Sequence, residues 1–184
     1  MITTDALGLL RSVRALLAAA AHDRCNGSML GVDPPEEAPM AKIRHIAISA
    51  QDPDATAKFY VDVFGLKQVG RIENPNTSGY YLTDGDINLA ILKFKNDKVA
   101  GVERGKDWSG IHHVGFQVDD LKDITERLAA AGVPRRDDIN EALGVGHDDR
   151  HYTNVEVKYT APDGVTVDVS ESGWVGTSGF SPRA

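Results

Sequence analysis

Three residues of this chain have the type and setting to hold a divalent metal: His45 in "RHIAIS", His113 in "GIHHVGFQV" and Asp168 in "VTVDVS". Each sits in a run that alternates apolar with small or polar residues, the pattern of a half-buried strand. Alternate residues of a strand share a face. His45 therefore lies with Ala47 and Ser49, opposite Ile46 and Ile48, and Asp168 lies with Thr166 and Ser170, opposite Val165, Val167 and Val169. Two neutral imidazoles and a carboxylate on one side of a metal form the facial arrangement of non-haem iron sites, which leaves positions open for substrate and oxygen. Zinc and manganese accept similar ligands.

The adjacent pair His112-His113 poses a choice that parity decides. His112 shares its face with Val114, Phe116 and Val118, an apolar row suited to packing under a helix, whereas His113 shares with Gly115 and Gln117. The metal role goes to His113, and His112 is expected to be structural, packed or hydrogen-bonded near the helix. A single strand histidine is usually structural too. What sets His45 and His113 apart is their equivalent place in two repeats, together with a carboxylate of matching parity.

The elements that must position these residues are visible in that repeat. "HIAISAQDPDATAKFYVDVFG" from His45 and "HVGFQVDDLKDITERLAAAG" from His113 each reach an aspartate, Asp52 or Asp120, suited to cap a helix. Pro53 fits the first helical position, and Ala57, Tyr60, Val63 and Phe64 form one apolar stripe, as Leu121, Ile124, Leu128 and Ala131 do in the second helix. Gly65 and Gly132 stand where a helix ends in a left-handed residue. Strands are expected at about 66–72, 79–84 and 87–94, then at about 154–160 and 165–170 after a less regular region. The tally is two βαβββ units in an α+β fold: module one over about 41–95 and module two over about 110–172, within a domain spanning 40–174.

Composition sets the outer limits. The 184 residues suffice for one compact domain or two small modules sharing a core. The formal net charge of −7 argues against nucleic acid or an anionic membrane as partner. Cys25, the only cysteine, cannot form an intramolecular disulfide, which fits a reducing cytoplasm. In residues 1–39, Leu9, Leu10, Val13, Leu16 and Leu17 recur at helical spacing, but Arg11 and Arg14 make the run too polar to span a bilayer. Cys25 to Pro39 reads as a linker, so 1–39 is an extension, helical or disordered, and Met40 opens the domain and is a possible translation start. Residues 175–184 are expected to be a tail, anchored by Trp174.

With "RHIAISAQDPDATAKFYVDVFGL", "GIHHVGFQVDDL" and "APDGVTVDV", the chain resembles the vicinal oxygen chelate superfamily of glyoxalases, methylmalonyl-CoA epimerases, extradiol dioxygenases and bleomycin or fosfomycin resistance proteins, from Ala41 to about Gly173. The resemblance implies a cup-shaped mixed sheet with helices on its outer face, and metal ligands at the positions of His45, Ala90, His113 and Asp168. Ala90 cannot bind a metal, and its neighbours Asn88, Leu92 and Phe94 are expected to line the pocket. Asp168 stands where the family usually has Glu, a carboxylate with a shorter reach. Three protein ligands look more like the extradiol dioxygenases than the glyoxalases.

That likeness extends from His151 to Asp168, with Lys158 at the family's tyrosine position. Because Val155, Val157 and Tyr159 form an apolar row, Asn154, Glu156 and Lys158 are expected to face the cup. Lys158 is then placed to hold an anionic substrate oxygen and His151 to act as acid or base. Asn88, Phe94, Gln117 and Glu156 are the expected substrate-binding residues. The run "HDDRH", His147 to His151, reads as a loop over the cup mouth, and Trp108, Tyr80 and Tyr81 as pocket lining, rim or simple packing.

The first expectation is an extradiol-dioxygenase-like enzyme holding Fe(II). The second is a lyase, isomerase or epimerase acting through an enediolate on manganese, zinc or nickel, and the third a metal-free protein that sequesters a drug or metabolite. All three take a small molecule as partner, and a homodimer is the assembly the family suggests.

Overall fold

A computed structural model describes residues 40–145 and 156–181 of the chain. The expectations for residues 1–39, His147 and His151 lie outside the described residues. Eleven elements follow in chain order: β1 (Lys42–Ser49), α1 (Pro53–Phe64), β2 (Lys67–Glu73), β3 (Thr77–Thr83), β4 (Asn88–Phe94), α2 (Asp97–Ala100), β5 (Gly110–Gln117), α3 (Leu121–Ala130), α4 (Asp137–Leu143), β6 (Val157–Thr160) and β7 (Thr166–Ser170). The strands form one open mixed sheet in the order β2-β3-β4-β1-β5-β7-β6. Its centre is the antiparallel pair β1–β5, and each of these strands has the last strand of its own half, β4 or β7, as a parallel neighbour. This is the expected α+β architecture of two related halves.

Both large helices begin as their sequences require. Asp52 Oδ1 accepts from Ala55 N at 2.9 Å ahead of Pro53, and Asp120 Oδ1 accepts from Asp123 N at 2.9 Å. Both end at a left-handed glycine, Gly65 with φ 72° and Gly132 with φ 70°. The inner stripe of α1 differs from the expected one. Ala57, Tyr60 and Val61 pack on Leu82, Ile91 and Ile48, while Val63 and Phe64 are 61% and 63% exposed. On the other half, Leu121, Ile124 and Leu128 of α3 pack as expected against Val157, Tyr159, Val167 and Val169.

Among the described residues the second half shows no counterpart of β2. Arg135 makes a single bridge to Tyr159 and the chain then turns into α4, which closes one side of the cup through Ala142 and Leu143. Nor is the segment after Trp174 a free tail. Asn88 Nδ2 donates to Val175 O at 2.8 Å, Thr83 Oγ1 to Gly176 O at 2.9 Å and Gln117 Nε2 to Gly179 O at 2.7 Å. Among the described residues no helix is long and apolar enough to cross a membrane.

Candidate metal centre

The β1–β5 pairing carries two bulges placed symmetrically about Ile46 and Val114. Ile43 faces Phe116 and His45 faces Gly115, leaving Arg44 as an extra residue; Ala47 faces His113 and Ile48 faces Ile111, leaving His112 extra. Each bulge immediately precedes the histidine that parity assigned to the metal. The extra residue breaks alternation, so His112 turns to the cup side with His113 and both are buried, 2% and 3% exposed. The expectation that His112 packs under a helix on the outer face is thereby corrected. Its Nε2 hydrogen-bonds Ala100 O at the end of α2 at 2.8 Å, its ring lies 4.5 Å from that of Phe94, and it lines the cavity.

His45, His113 and Asp168 meet at the floor of the cup. His45 Nε2 lies 3.1 Å from His113 Nε2, His113 Nε2 lies 3.3 Å from Asp168 Oδ2, and one ligand atom from each residue falls within 4.8 Å of the others. Gly115, which pairs with both His45 and Asp168, makes room for this approach. A Cβ there would stand 2.7 Å from His45 Cβ and 2.7 Å from the Trp174 ring. Trp174, 1% exposed, stacks on His45 at 4.9 Å and 8° and seals the floor from below.

Hydrogen bonding to two fixed acceptors sets both imidazole tautomers. Val175 O accepts from Asn88 Nδ2, which turns Asn88 Oδ1 towards His45 Nδ1 at 2.8 Å; His45 must carry its proton on Nδ1 and present a lone pair on Nε2. Ala100 O accepts from His112 Nε2, so His112 Nδ1 is an acceptor 2.8 Å from His113 Nδ1, and His113 too presents its lone pair on Nε2. Burial holds His45 neutral by lowering its pKa to about 4, and burial followed by the nearby Lys158 charge keeps His113 well below its ordinary value. Two lone pairs thus face each other at 3.1 Å beside a carboxylate whose Oδ1 is buried without a donor. Such an arrangement is repulsive on its own and suits a cation between the three atoms. The donor set therefore fits a divalent metal.

The cavity above the cluster has a volume of about 390 Å³. Glu156 and Lys158 line its polar end, as expected, and Phe94, Leu92, Val99 and Leu143 its apolar wall. Lys158 is not poised over the cavity but contacts Asp168 Oδ2 directly, with Glu156 Oε2 3.8 Å away. Burial, joined by the Asp168 charge and opposed by Lys158, raises the pKa of Glu156. Ala90, where the resemblance implied a fourth ligand, is fully buried.

Two expected substrate residues lie elsewhere. Asn88, 0% exposed, has both amide atoms engaged and orients His45. The Gln117 amide is held by Gly179 O and Glu171 O. Of the two tyrosines Tyr81 lines the cavity, whereas Tyr80 binds Asp54 on the outer face; Trp108 lies under the Arg104 guanidinium at 4.9 Å. Sequence parity missed His112, Gly115 and Trp174 as parts of the site and gave Asn88 to the substrate rather than to His45, because each acts through a bulge or a long-range contact.

A family profile described as the Glyoxalase/Bleomycin resistance protein/Dioxygenase superfamily matches residues 42–169. The chain belongs to that superfamily. Among solved structures it is similar to a methylmalonyl-CoA epimerase in complex with methylmalonyl-CoA and NH4+, at 21% identity and TM-score 0.57, covering 78% of this chain and 100% of that one. It is similar also to methylmalonyl-CoA epimerase from Mycobacterium tuberculosis, at 19% identity and TM-score 0.53 over 76% and 92% of the two chains. A hypothetical protein from Bacillus halodurans C-125 matches at 18% identity and TM-score 0.56 over 72% and 94%. No curated protein matches significantly.

Proposed function

We propose that the protein is a divalent-metal-dependent enzyme that binds a small substrate through two neighbouring oxygens and moves a proton on the carbon beside them, in the manner of an isomerase, epimerase or lyase. The observation that carries this reading is the pair of tautomer-locked imidazoles whose free lone pairs converge beside the Asp168 carboxylate. His45, His113 and Asp168 would hold the metal, which when bound polarises the substrate oxygens and stabilises the anion formed next to them. Glu156 is the base: it lines the cavity, and its raised pKa brings it nearer neutrality, where proton transfer in both directions is efficient. Lys158 holds Asp168 in place, and the apolar wall excludes water from the reacting carbon.

Iron-dependent ring cleavage, the first expectation from the sequence, has less behind it. Lys158 is engaged by Asp168 rather than free for a substrate oxygen, and the solved structures similar in fold include methylmalonyl-CoA epimerases. We take the working assembly as a homodimer, which light scattering of the purified protein would test.

The experiment is elemental analysis of protein purified without added metal and protected from air, beside His113→Ala. Near-stoichiometric metal lost in the variant is expected, and no metal in either protein would sink the reading in favour of a metal-free binding cup. Methylmalonyl-CoA, bound by one neighbour, is the first compound to test for metal-dependent deuterium uptake from D2O. Uptake unchanged in Glu156→Gln would remove Glu156 as the base, and iron together with oxygen uptake on catechols would restore the dioxygenase reading.

A further inference from the structure

The sheet register makes each half of the site a copy of the other. Ala47 pairs with Ala90 as Gly115 pairs with Asp168, so Ala90 and Asp168 hold equivalent places on β4 and β7. One strand further out, Tyr81 pairs with Ala90 as Lys158 pairs with Asp168. In the second half both positions are filled and satisfied: the Lys158 ammonium holds the Asp168 carboxylate against the ligand cluster. In the first half a methyl group stands where the carboxylate would be, and a phenol stands where its partner would be.

Tyr81 is built to offer that phenol. Its ring lies over Gly70, where a Cβ would come within 3.0 Å of Tyr81 Cδ2, and packs against the buried cluster of Ala90, Leu92 and Phe94. Its hydroxyl has no hydrogen-bond partner among the described residues, although the side chain lines the cavity. The side chain is half-buried and its hydroxyl keeps contact with solvent, so it is free to donate to a bound group at no cost to the empty protein. Burial, and after it the charges of Glu156 and Asp168, raise the phenol pKa well above its ordinary value, so the group is a donor at every working pH.

We propose that the Tyr81 phenol on the cavity wall is the subsite for one anionic oxygen of the substrate, held by it as Lys158 holds Asp168. This deepens, and rests on, the metal-dependent reading above. The ligand class follows from the cavity: a small molecule with an oxyanion head, such as a carboxylate, enolate or catecholate, and an apolar body lying along Ile72, Leu92, Phe94, Val99 and Leu143.

The test is a titration of the Mn(II)-loaded protein with 4-nitrocatechol, whose visible spectrum reports both binding and ionisation. Wild type should bind it in a metal-dependent way. Tyr81→Phe should bind it about tenfold or more weakly, the loss expected when a hydrogen bond to a charged group is removed, with unchanged Mn(II) affinity and melting temperature. Binding by Tyr81→Phe within twofold of wild type would overturn the subsite while leaving the metal site standing. Equal binding by wild type with and without Mn(II) would instead overturn the metal-dependent reading, and Tyr81→Phe would still decide the role of the hydroxyl.

Discussion

On the first half of the sheet β4 turns Asn88 and Ala90 to the cup, where β7 of the second half turns Thr166 and Asp168; β3 offers Tyr81 where β6 offers Lys158. Each half contributes one histidine from its first strand, each preceded by a bulge. The halves therefore share the device that aims an imidazole and differ in everything that carries charge. All the formal charge at the ligand cluster comes from the second half, in Glu156, Lys158 and Asp168, while the first half supplies an orienting amide and a neutral phenol. The two halves thus form a symmetric scaffold on which differences at a few positions leave the charged groups on one side and the neutral ones on the other.

Lys158→Met should break this division most strongly. The lysine neutralises a fully buried carboxylate, and removing one partner of a buried pair costs about 3–5 kcal/mol. Urea denaturation of the metal-free protein should show that loss, and added divalent metal should recover most of it by supplying the missing positive charge at Asp168. A metal-free variant as stable as wild type would mean that Lys158 is not the counter-ion. The equivalent change in the first half, Tyr81→Phe, should leave metal-free stability almost unaltered.

Acid should act on the symmetric part of the site. His45 and His112 have pKa values lowered to about 4, and that of His113 is held well below its ordinary value, in each case first by burial. A histidine whose folded pKa is depressed binds its proton more readily when unfolded. Its contribution is therefore complete above the unfolded value of 6.5 and is lost as pH falls towards 4. One such shift corresponds to about 3 kcal/mol at most, and the three rings are coupled, so their effects do not simply add. Metal-free protein should lose several kcal/mol between pH 7.5 and 4.5 in urea titrations. Bound metal should move that loss to lower pH, and equal stability at the two pH values would contradict neutral buried imidazoles.

The two relays invite a direct comparison. Asn88→Leu releases His45 from its tautomer and His112→Phe releases His113, each with little change of volume. Loss of an outer partner of a metal-binding histidine typically lowers metal affinity 10–100-fold. Competition with a chromogenic chelator should find both variants in about that range. An affinity unchanged in either would show that its relay does not set the ligand geometry.

How much of this was legible in the sequence depends on how far a residue's partner lies along the chain. Val157, Tyr159, Val167 and Val169 alternate without interruption and sit under α3 as their parity requires. The helix caps are local and read directly from Asp52, Pro53 and Asp120. Parity failed at His112 because alternation presumes unbroken pairing, and an extra residue in the β1–β5 ladder is invisible without the partner strand. Asn88 and Gln117 were placed on the cup face by the same rule, but their amides are taken by Val175 and Gly179, 87 and 62 positions away. No local pattern announces such contacts, and for the same reason Trp174 and Gly115 escaped as walls of the site.

The smallest expected effect concerns the outer layer, where the halves also differ. Helical spacing put Val63 and Phe64 on the packed stripe of α1, yet the helix rolls so that Ala57, Tyr60 and Val61 meet the sheet. Positions three and four apart mark a stripe, and Ala57 and Tyr60 belong both to the expected stripe and to the one through Val61, so spacing alone does not choose between them. Val63, 61% exposed, then contributes little burial, so Val63→Thr should alter stability by less than about 0.5 kcal/mol. Leu128→Ala on α3, part of the packed layer over Val157 and Tyr159, should cost a few times more. Equal costs at the two positions, measured in the same urea series, would mean that the exposed flank of α1 is covered in solution.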